Sequence, residues 1–168
     1  LPRRVDLSAS FPKPGDQGNQ GSCVGWAVAY ALKSYQEKVE RKWPGTGPNQ
    51  TFSPAFLYNQ IKLDGGGAHI SDALDFLIRS GVVTLKDFPY DPEDDSRMPS
   101  STILSAGRAY SIAAWRRVDL AQMSDTKSHL ASGFPVVIGM KVAASFSHHR
   151  GNETYTYDPE EEDDGAHA

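Results

Sequence analysis

The stretch Asp16-Gln17-Gly18-Asn19-Gln20-Gly21-Ser22-Cys23-Val24-Gly25-Trp26-Ala27 restricts the fold more than any other, because a glycine-rich loop meets a helical pattern there and the only cysteine stands at the junction. A thiol at a helix N-terminus lies among backbone N–H groups that have no intrahelical partner, at the positive end of the helix dipole. Both favour thiolate over thiol. Position 23 therefore reads as a nucleophile, with a plain packed cysteine as the alternative, since a free thiol also behaves as a small hydrophobe. Behind it, from Val24 to about Lys42, Val28, Leu32, Tyr35 and Val39 recur at steps of four, three and four. That spacing predicts a helix buried along one face, and Trp43-Pro44-Gly45 stops it.

Ser53-Pro54 reads as an N-cap followed by proline at the first helical position, with Phe56, Leu57 and Ile61 on the apolar side. Asp64-Gly65-Gly66-Gly67-Ala68 reads as a loop, because consecutive glycines supply backbone freedom or close approach instead of packing. Ile70-Ser71 opens a second helix with Ala73, Leu74, Leu77 and Ile78 facing inward and Gly81 at its C-terminal cap; Phe88-Pro89-Tyr90 follows. Residues 91–101 are polar and aperiodic, a loop or a link between lobes. After them, Tyr110, Ile112, Ala114 and Val118 alternate with Ser111, Ala113 and Trp115 in a strand-like way. Leu120 to Gly133 reads as helical, and Phe134 to Val142 as a β-branched strand.

Several of these pieces resemble the papain-like cysteine peptidases. Gln17 precedes Cys23 by six residues, as a glutamine precedes the family's nucleophile, and Cys23-Val24-Gly25-Trp26 is similar to the Cys-Val-Gly-Phe form of bacterial members. Ser53-Pro54 resembles the family's Leu-Ser-Pro segment. Leu74, Gly81 and Phe88-Pro89-Tyr90 resemble its helix, glycine and Tyr-Pro-Tyr; Gly133-Phe134-Pro135-Val136-Val137 resembles its Gly-x-Pro-Val-Val strand. Gly165-Ala166-His167-Ala168 stands where the family has Gly-x-His-Ala.

The resemblance implies an α+β, papain-like two-lobe fold. Residues 1–101 would form a helical lobe carrying the nucleophile, and residues 102–168 an antiparallel, barrel-like β lobe carrying the histidine. It implies peptide-bond hydrolysis through an acyl-enzyme on Cys23, with His167 as ion-pair partner and general acid/base. Gln17 would donate to the oxyanion, and Gly65, Gly66 and Gly67 would pair with substrate backbone. No cofactor is implied. The partners are a peptide or protein substrate and, in the cleft, a pro-segment or inhibitor; no pro-segment precedes Leu1, so the chain reads as a mature piece. In the family an asparagine some tens of residues beyond the histidine orients the imidazole. This chain stops at Ala168, so the β lobe is expected to be incomplete at its C-terminal side. Two other readings stay open: a catalytically silent module binding peptides in the same groove, and a thiol acyltransferase or amidase that shares the chemistry up to the acyl-enzyme.

A net charge of −4 with no basic stripe argues against a nucleic-acid surface, and no apolar run approaches a membrane span. One cysteine excludes an internal disulfide, which points to a bacterial member or a reducing compartment; the resemblance itself favours a secreted or periplasmic setting. Of the other histidines, His69 lies near the glycine loop, His129 is expected in solvent on a helix, and His148-His149 on a strand would point to opposite faces and share no metal. The acids within Asp158 to Asp164 read as a solvated loop. Asn49-Gln50-Thr51 and Asn152-Glu153-Thr154 match a glycosylation sequon, a pattern short enough to arise by chance.

Overall fold

The computed structural model describes residues 1–149, 154–156 and 158–168. Helix α1 runs over 23–41 and is assembled from an α turn (Cys23–Gly25), a π-helical stretch (Trp26–Lys33) and an α segment (Ser34–Arg41). A π turn closes hydrogen bonds to the fifth residue along, so a stripe drawn at a period of 3.6 residues drifts across it. The buried positions accordingly run Val24, Gly25, Val28, Ala29, Lys33, Ser34, Tyr35 and Glu37. Val28 and Tyr35 keep their expected places in the core, Leu32 is half-buried, and Val39 is exposed, which corrects the C-terminal end of the expected stripe. The helix ends with Lys42 in the left-handed region (φ 54°), one residue before Trp43.

The register shift turns two charged residues inward. The side chains of Lys33 and Glu37 are only 1% and 4% exposed, and Lys33 Nζ lies 2.6 Å from Glu37 Oε1. The same ammonium donates to Gln36 Oε1 at 3.1 Å and to the Ser111 carbonyl at 3.2 Å. An ammonium has three donors, and all three are used. Glu37 also pairs with Arg41, one turn on, whose guanidinium lies over the Tyr110 ring at 5.1 Å.

Helix α2 (Pro54–Ile61) starts as its capping residue dictates: Ser53 Oγ accepts from the Phe56 N–H at 3.0 Å, and Pro54 occupies the first turn. It is the central helix, buried from Pro54 through Asn59. A Cβ on Gly25 would stand 2.7 Å from the Pro54 carbonyl oxygen and 3.1 Å from Tyr58 Cβ, so α1 and α2 meet at a distance only glycine allows. Ser34 Oγ accepts from the Phe52 N–H at 2.9 Å, and residues 51–53 pair with 83–85. Helix α3 (Ile70–Ser80) ends at Gly81 as expected. Its buried face is Ala73, Phe76 and Leu77; Ile78 is exposed and Leu74 half-buried, so the inward stripe is rotated from the predicted one. The rotation suits Phe76, whose ring meets Phe56 edge-on at 6.2 Å, as Phe88 also does at 5.9 Å. Burying one such ring contributes about 1.5–3 kcal/mol.

Residues 91–100 are irregular, as expected of a loop; α4 (Ser101–Gly107) begins at the last residue of the expected link, its start capped by Ser100 Oγ accepting from the Ile103 N–H. The alternating segment after Tyr110 is not a strand. Alternation marks a two-faced surface but a strand also needs a partner along its length, and this segment is held by isolated contacts instead, the Ile112 N–H donating to the Leu77 carbonyl at 3.3 Å and Trp115 Nε1 to Asp75 Oδ1 at 2.8 Å. Helix α5 (Met123–Ala131) lies inside the expected 120–133, and the Gly133 carbonyl after it accepts from the Tyr35 hydroxyl at 2.8 Å. Of the expected strand 134–142, only the end is formed, as β1 (Met140–Ala143); Pro135 lacks the N–H a ladder needs.

The chain divides into two compact units, Leu1–Val137 and Ile138–Ala168. The second contains β1, a short α6 (Ala144–His148) and β2 (Asp163–His167). The strands are antiparallel, with Met140 opposite His167, Lys141 opposite Ala166 and Ala143 opposite Asp163. Two steps on β1 thus face three on β2, a bulge at Gly165, whose φ is 109°. Asp163 and Asp164 therefore belong to a strand, which corrects the reading of the whole acidic run as loop. Glu161 Oε1 accepts from the Ser145 N–H at 2.8 Å, satisfying a donor at the start of α6. Asn152 of the second sequon lies outside the described residues. Among the described residues, helices together with a small antiparallel sheet make this an α+β protein.

The Lys33 network generates a stability prediction. Lys33→Ala leaves Glu37 buried with only Arg41 beside it, so urea unfolding should show a loss of about 3 kcal/mol, the cost of breaking a buried pair from one side. A loss no larger than that of a surface lysine would show the pair to be dispensable.

Candidate active site

Cys23 is the first residue of α1, half-buried, and the loop before it is closed by its own hydrogen bonds. Asp16 Oδ1 accepts from the Gly18 N–H at 2.8 Å, and Gly18 is left-handed at φ 60°. The Gln20 carbonyl accepts from the Ser22 N–H at 2.8 Å and from Gln17 Nε2 at 3.0 Å. One N–H of the Gln17 amide is thereby anchored to the loop. An amide carries two such donors, so the second remains for another acceptor.

The glycine loop is brought to this loop by contact at Gly21. A Cβ there would lie 3.0 Å from the Gly67 nitrogen, so a side chain would push the glycine turn back by a few tenths of an ångström, and the Gly67 N–H donates to the Tyr58 hydroxyl at 3.2 Å. Gly66 and Gly67 have φ of 84° and 73°, while Gly65 and Gly66 are exposed. The turn is closed by the Leu63 N–H on Gly67 O and the Gly66 N–H on Leu63 O. Exposed backbone of this kind offers donors and acceptors to an extended peptide.

His167 ends β2 in the second unit, with an exposed ring and Nδ1 3.2 Å from the Ala168 carbonyl oxygen. Gln17, Cys23 and Gly65 to Gly67 belong to the first unit. His69 is the exposed N-terminal cap position of α3. His129 is not free in solvent as expected: it is half-buried on α5, beside Arg116 and 3.5 Å from Asp125 Oδ1, its neighbour one turn away. His148 ends a helix, not a strand position, and its Nδ1 lies 2.9 Å from the Ala144 carbonyl. Among the described residues, no group of three or more His, Cys, Asp and Glu side chains converges as a metal site, and no helix is long and apolar enough to cross a membrane.

Two further groups hold the nucleophile loop, and the sequence pattern did not single them out. Ser22, immediately before the thiol, is fully buried with Oγ 2.7 Å from the Tyr90 hydroxyl, and Tyr90 also reaches the Gln17 carbonyl at 2.8 Å. Gln20 Nε2 donates to the Asp91 carbonyl at 3.2 Å. The one signal was Tyr90 itself, at the end of Phe88-Pro89-Tyr90.

The family model for papain family cysteine proteases matches residues 1–168. The chain belongs to that family. An uncharacterized peptidase C1-like protein of Acanthamoeba polyphaga mimivirus is 27% identical over 146 residues, covering 78% of this chain and 45% of that protein. The papain-family chain thus spans less than half the length of this curated relative. The crystal structure of xylellain, a cysteine protease from Xylella fastidiosa, superposes with a TM-score of 0.78 at 27% identity, covering 99% of this chain and 68% of that one. The fold is therefore papain-like.

A half-buried thiol on a helix's first turn should react without unfolding. Iodoacetamide should add one label at Cys23 in the native protein, read by intact mass and peptide mapping. Labelling that requires denaturant would make Cys23 a packing residue.

Proposed function

We propose that this papain-family chain hydrolyses peptide bonds through an acyl-enzyme on Cys23. In this reading residues 1–101 present the thiolate and residues 102–168 contribute the histidine. The Cys23 sulfur attacks the scissile carbonyl carbon, and the carbonyl π electrons move to oxygen. The resulting oxyanion accepts from the free Gln17 Nε2–H and the Cys23 backbone N–H. As the tetrahedral adduct collapses, the C–N bond breaks and the His167 imidazolium gives its proton to the departing amine. Neutral His167 then takes a proton from water, whose oxygen attacks the thioester; the acid leaves and the thiolate–imidazolium pair is restored. Peptide backbone would lie along Gly65, Gly66 and Gly67, in the manner of an added strand.

What supports this reading is one juxtaposition: the only thiol begins a helix behind a loop whose Gly21 touches the glycine turn, and the Gln17 amide of that loop is anchored on the Gln20 carbonyl. The loop that carries the Gln17 amide and leads into Cys23 is thus in contact with the turn offered as substrate backbone. Family membership supplies the reaction class.

The test is a set of substitutions in the intact protein, assayed on peptide amides. Cys23→Ala should abolish turnover and the acyl-enzyme seen by mass; full hydrolysis from that variant would refute the mechanism. Gln17→Ala should lower kcat roughly 10- to 1000-fold with KM unchanged, the range for losing one oxyanion donor. His167→Ala should lower it roughly 100- to 10,000-fold, the range for general acid–base catalysis. A wild-type kcat in either variant removes that residue from the mechanism.

A further inference from the structure

We propose that the Tyr90 hydroxyl is a positioning group for the nucleophile loop, acting through the main chain of Gln17 and the side chain of Ser22; the inference rests on the reading of Gln17 as an oxyanion donor. A phenol carries one proton. Tyr90 spends it on the Gln17 carbonyl at 2.8 Å, because a carbonyl can only accept. The 2.7 Å contact with Ser22 Oγ therefore has the serine as donor and the phenol oxygen as acceptor. A directed chain results, from Ser22 to Tyr90 to Gln17, and it joins the two ends of the loop 17–22. One end carries the amide proposed to meet the oxyanion. The other adjoins Cys23.

The ring that bears this hydroxyl is itself held. Its centroid lies 4.9 Å from that of Trp26 on α1, edge-on, and the next two carbonyls, of Asp91 and Pro92, accept from Gln20 Nε2 at 3.2 and 3.5 Å. Segment 90–92 is thus a splint against which the loop is set, with Gln20 as its structural strut and Tyr90 as the contact that fixes Gln17. Removing the hydroxyl leaves the ring, the Trp26 contact and the Gln20 strut in place. What is lost is the tether on the Gln17 main chain. A donor displaced by about 1 Å can cost on the order of 100-fold in rate.

The experiment compares Tyr90→Phe, Gln17→Ala and the double variant in the intact protein, with kcat and KM on a peptide amide and hydrogen exchange along the chain. Tyr90→Phe should lower kcat roughly 10- to 100-fold, leave KM unchanged, and speed exchange in 17–22 but not in α3. In the Gln17→Ala background the same change should cost nothing further, because no donor remains to be positioned. Tyr90→Phe also leaves the buried Ser22 hydroxyl without its acceptor. Ser22→Ala/Tyr90→Phe removes that complication, and it should recover thermal stability while keeping the kcat loss. A fully multiplicative loss in the Gln17→Ala background, a raised KM with exchange faster everywhere, or unaltered exchange in 17–22 would each overturn the inference. A wild-type protein inert toward peptides would refute the peptidase reading alone, and the exchange contrast in 17–22 would still decide this one.

Discussion

The close approach of α1 to α2 at Gly25 fixes where the turn that carries the nucleophile stands. With Pro54 O 2.7 Å from the place a Cβ would occupy, the two helices share backbone contact two residues beyond the thiol. The first turn of α1 is therefore set by the buried central helix and not by its own propensity, which for Cys23-Val24-Gly25 is poor. The same α2 supplies Tyr58, whose hydroxyl receives the Gly67 N–H. One helix thus locates both the nucleophile's turn and the glycine turn, and a shift in either is resisted by the same core of Phe56, Leu57 and Tyr58.

Further along α1, the π-helical stretch makes a second constraint that no side-chain pattern announces. Turning Lys33 and Glu37 inward exposes the fold to a heavy desolvation cost, which is offset only because every donor on the ammonium finds an acceptor. One of those acceptors is the carbonyl of Ser111, so the network ties α1 to the segment after Tyr110. That segment has no ladder of its own. Its order comes from single polar contacts, Lys33 on the Ser111 carbonyl, the Ile112 N–H on the Leu77 carbonyl and Trp115 on Asp75, in the place where alternation promised a strand.

What could be read from the residues follows from how local each cause is. Ser53-Pro54 and Gly81 announce helix ends through chemistry within one turn, and both were legible. Cys23 at the loop–helix junction and its distance from Gln17 were legible for the same reason. Phe76 facing inward and Val39 facing outward were not, because one depends on a ring cluster built from three segments and the other on a π turn that shifts the helical period. Helix α4 follows the polar run and is only seven residues long, too short for a periodic stripe, although Ser100 offered the usual capping signal. The Tyr90 contacts span some seventy residues of sequence, as with Ser22 (68 residues), and no window of pattern can contain them.

The bulge on β2 makes chain length, and not only residue identity, a determinant of what this segment presents. Because three steps on β2 answer two on β1, the residues on either side of Gly165 are out of phase with a regular ladder. Side chains on a strand alternate faces, so the loss of a single residue between Asp163 and Ala166 would restore the regular ladder and invert the parity of one flank against the other. Substitutions at Gly165 that tolerate a left-handed backbone would preserve that phase; a one-residue deletion that keeps every named side chain would not. Among natural variants of this chain, length changes within 163–166 are thus the ones selection should scrutinise most.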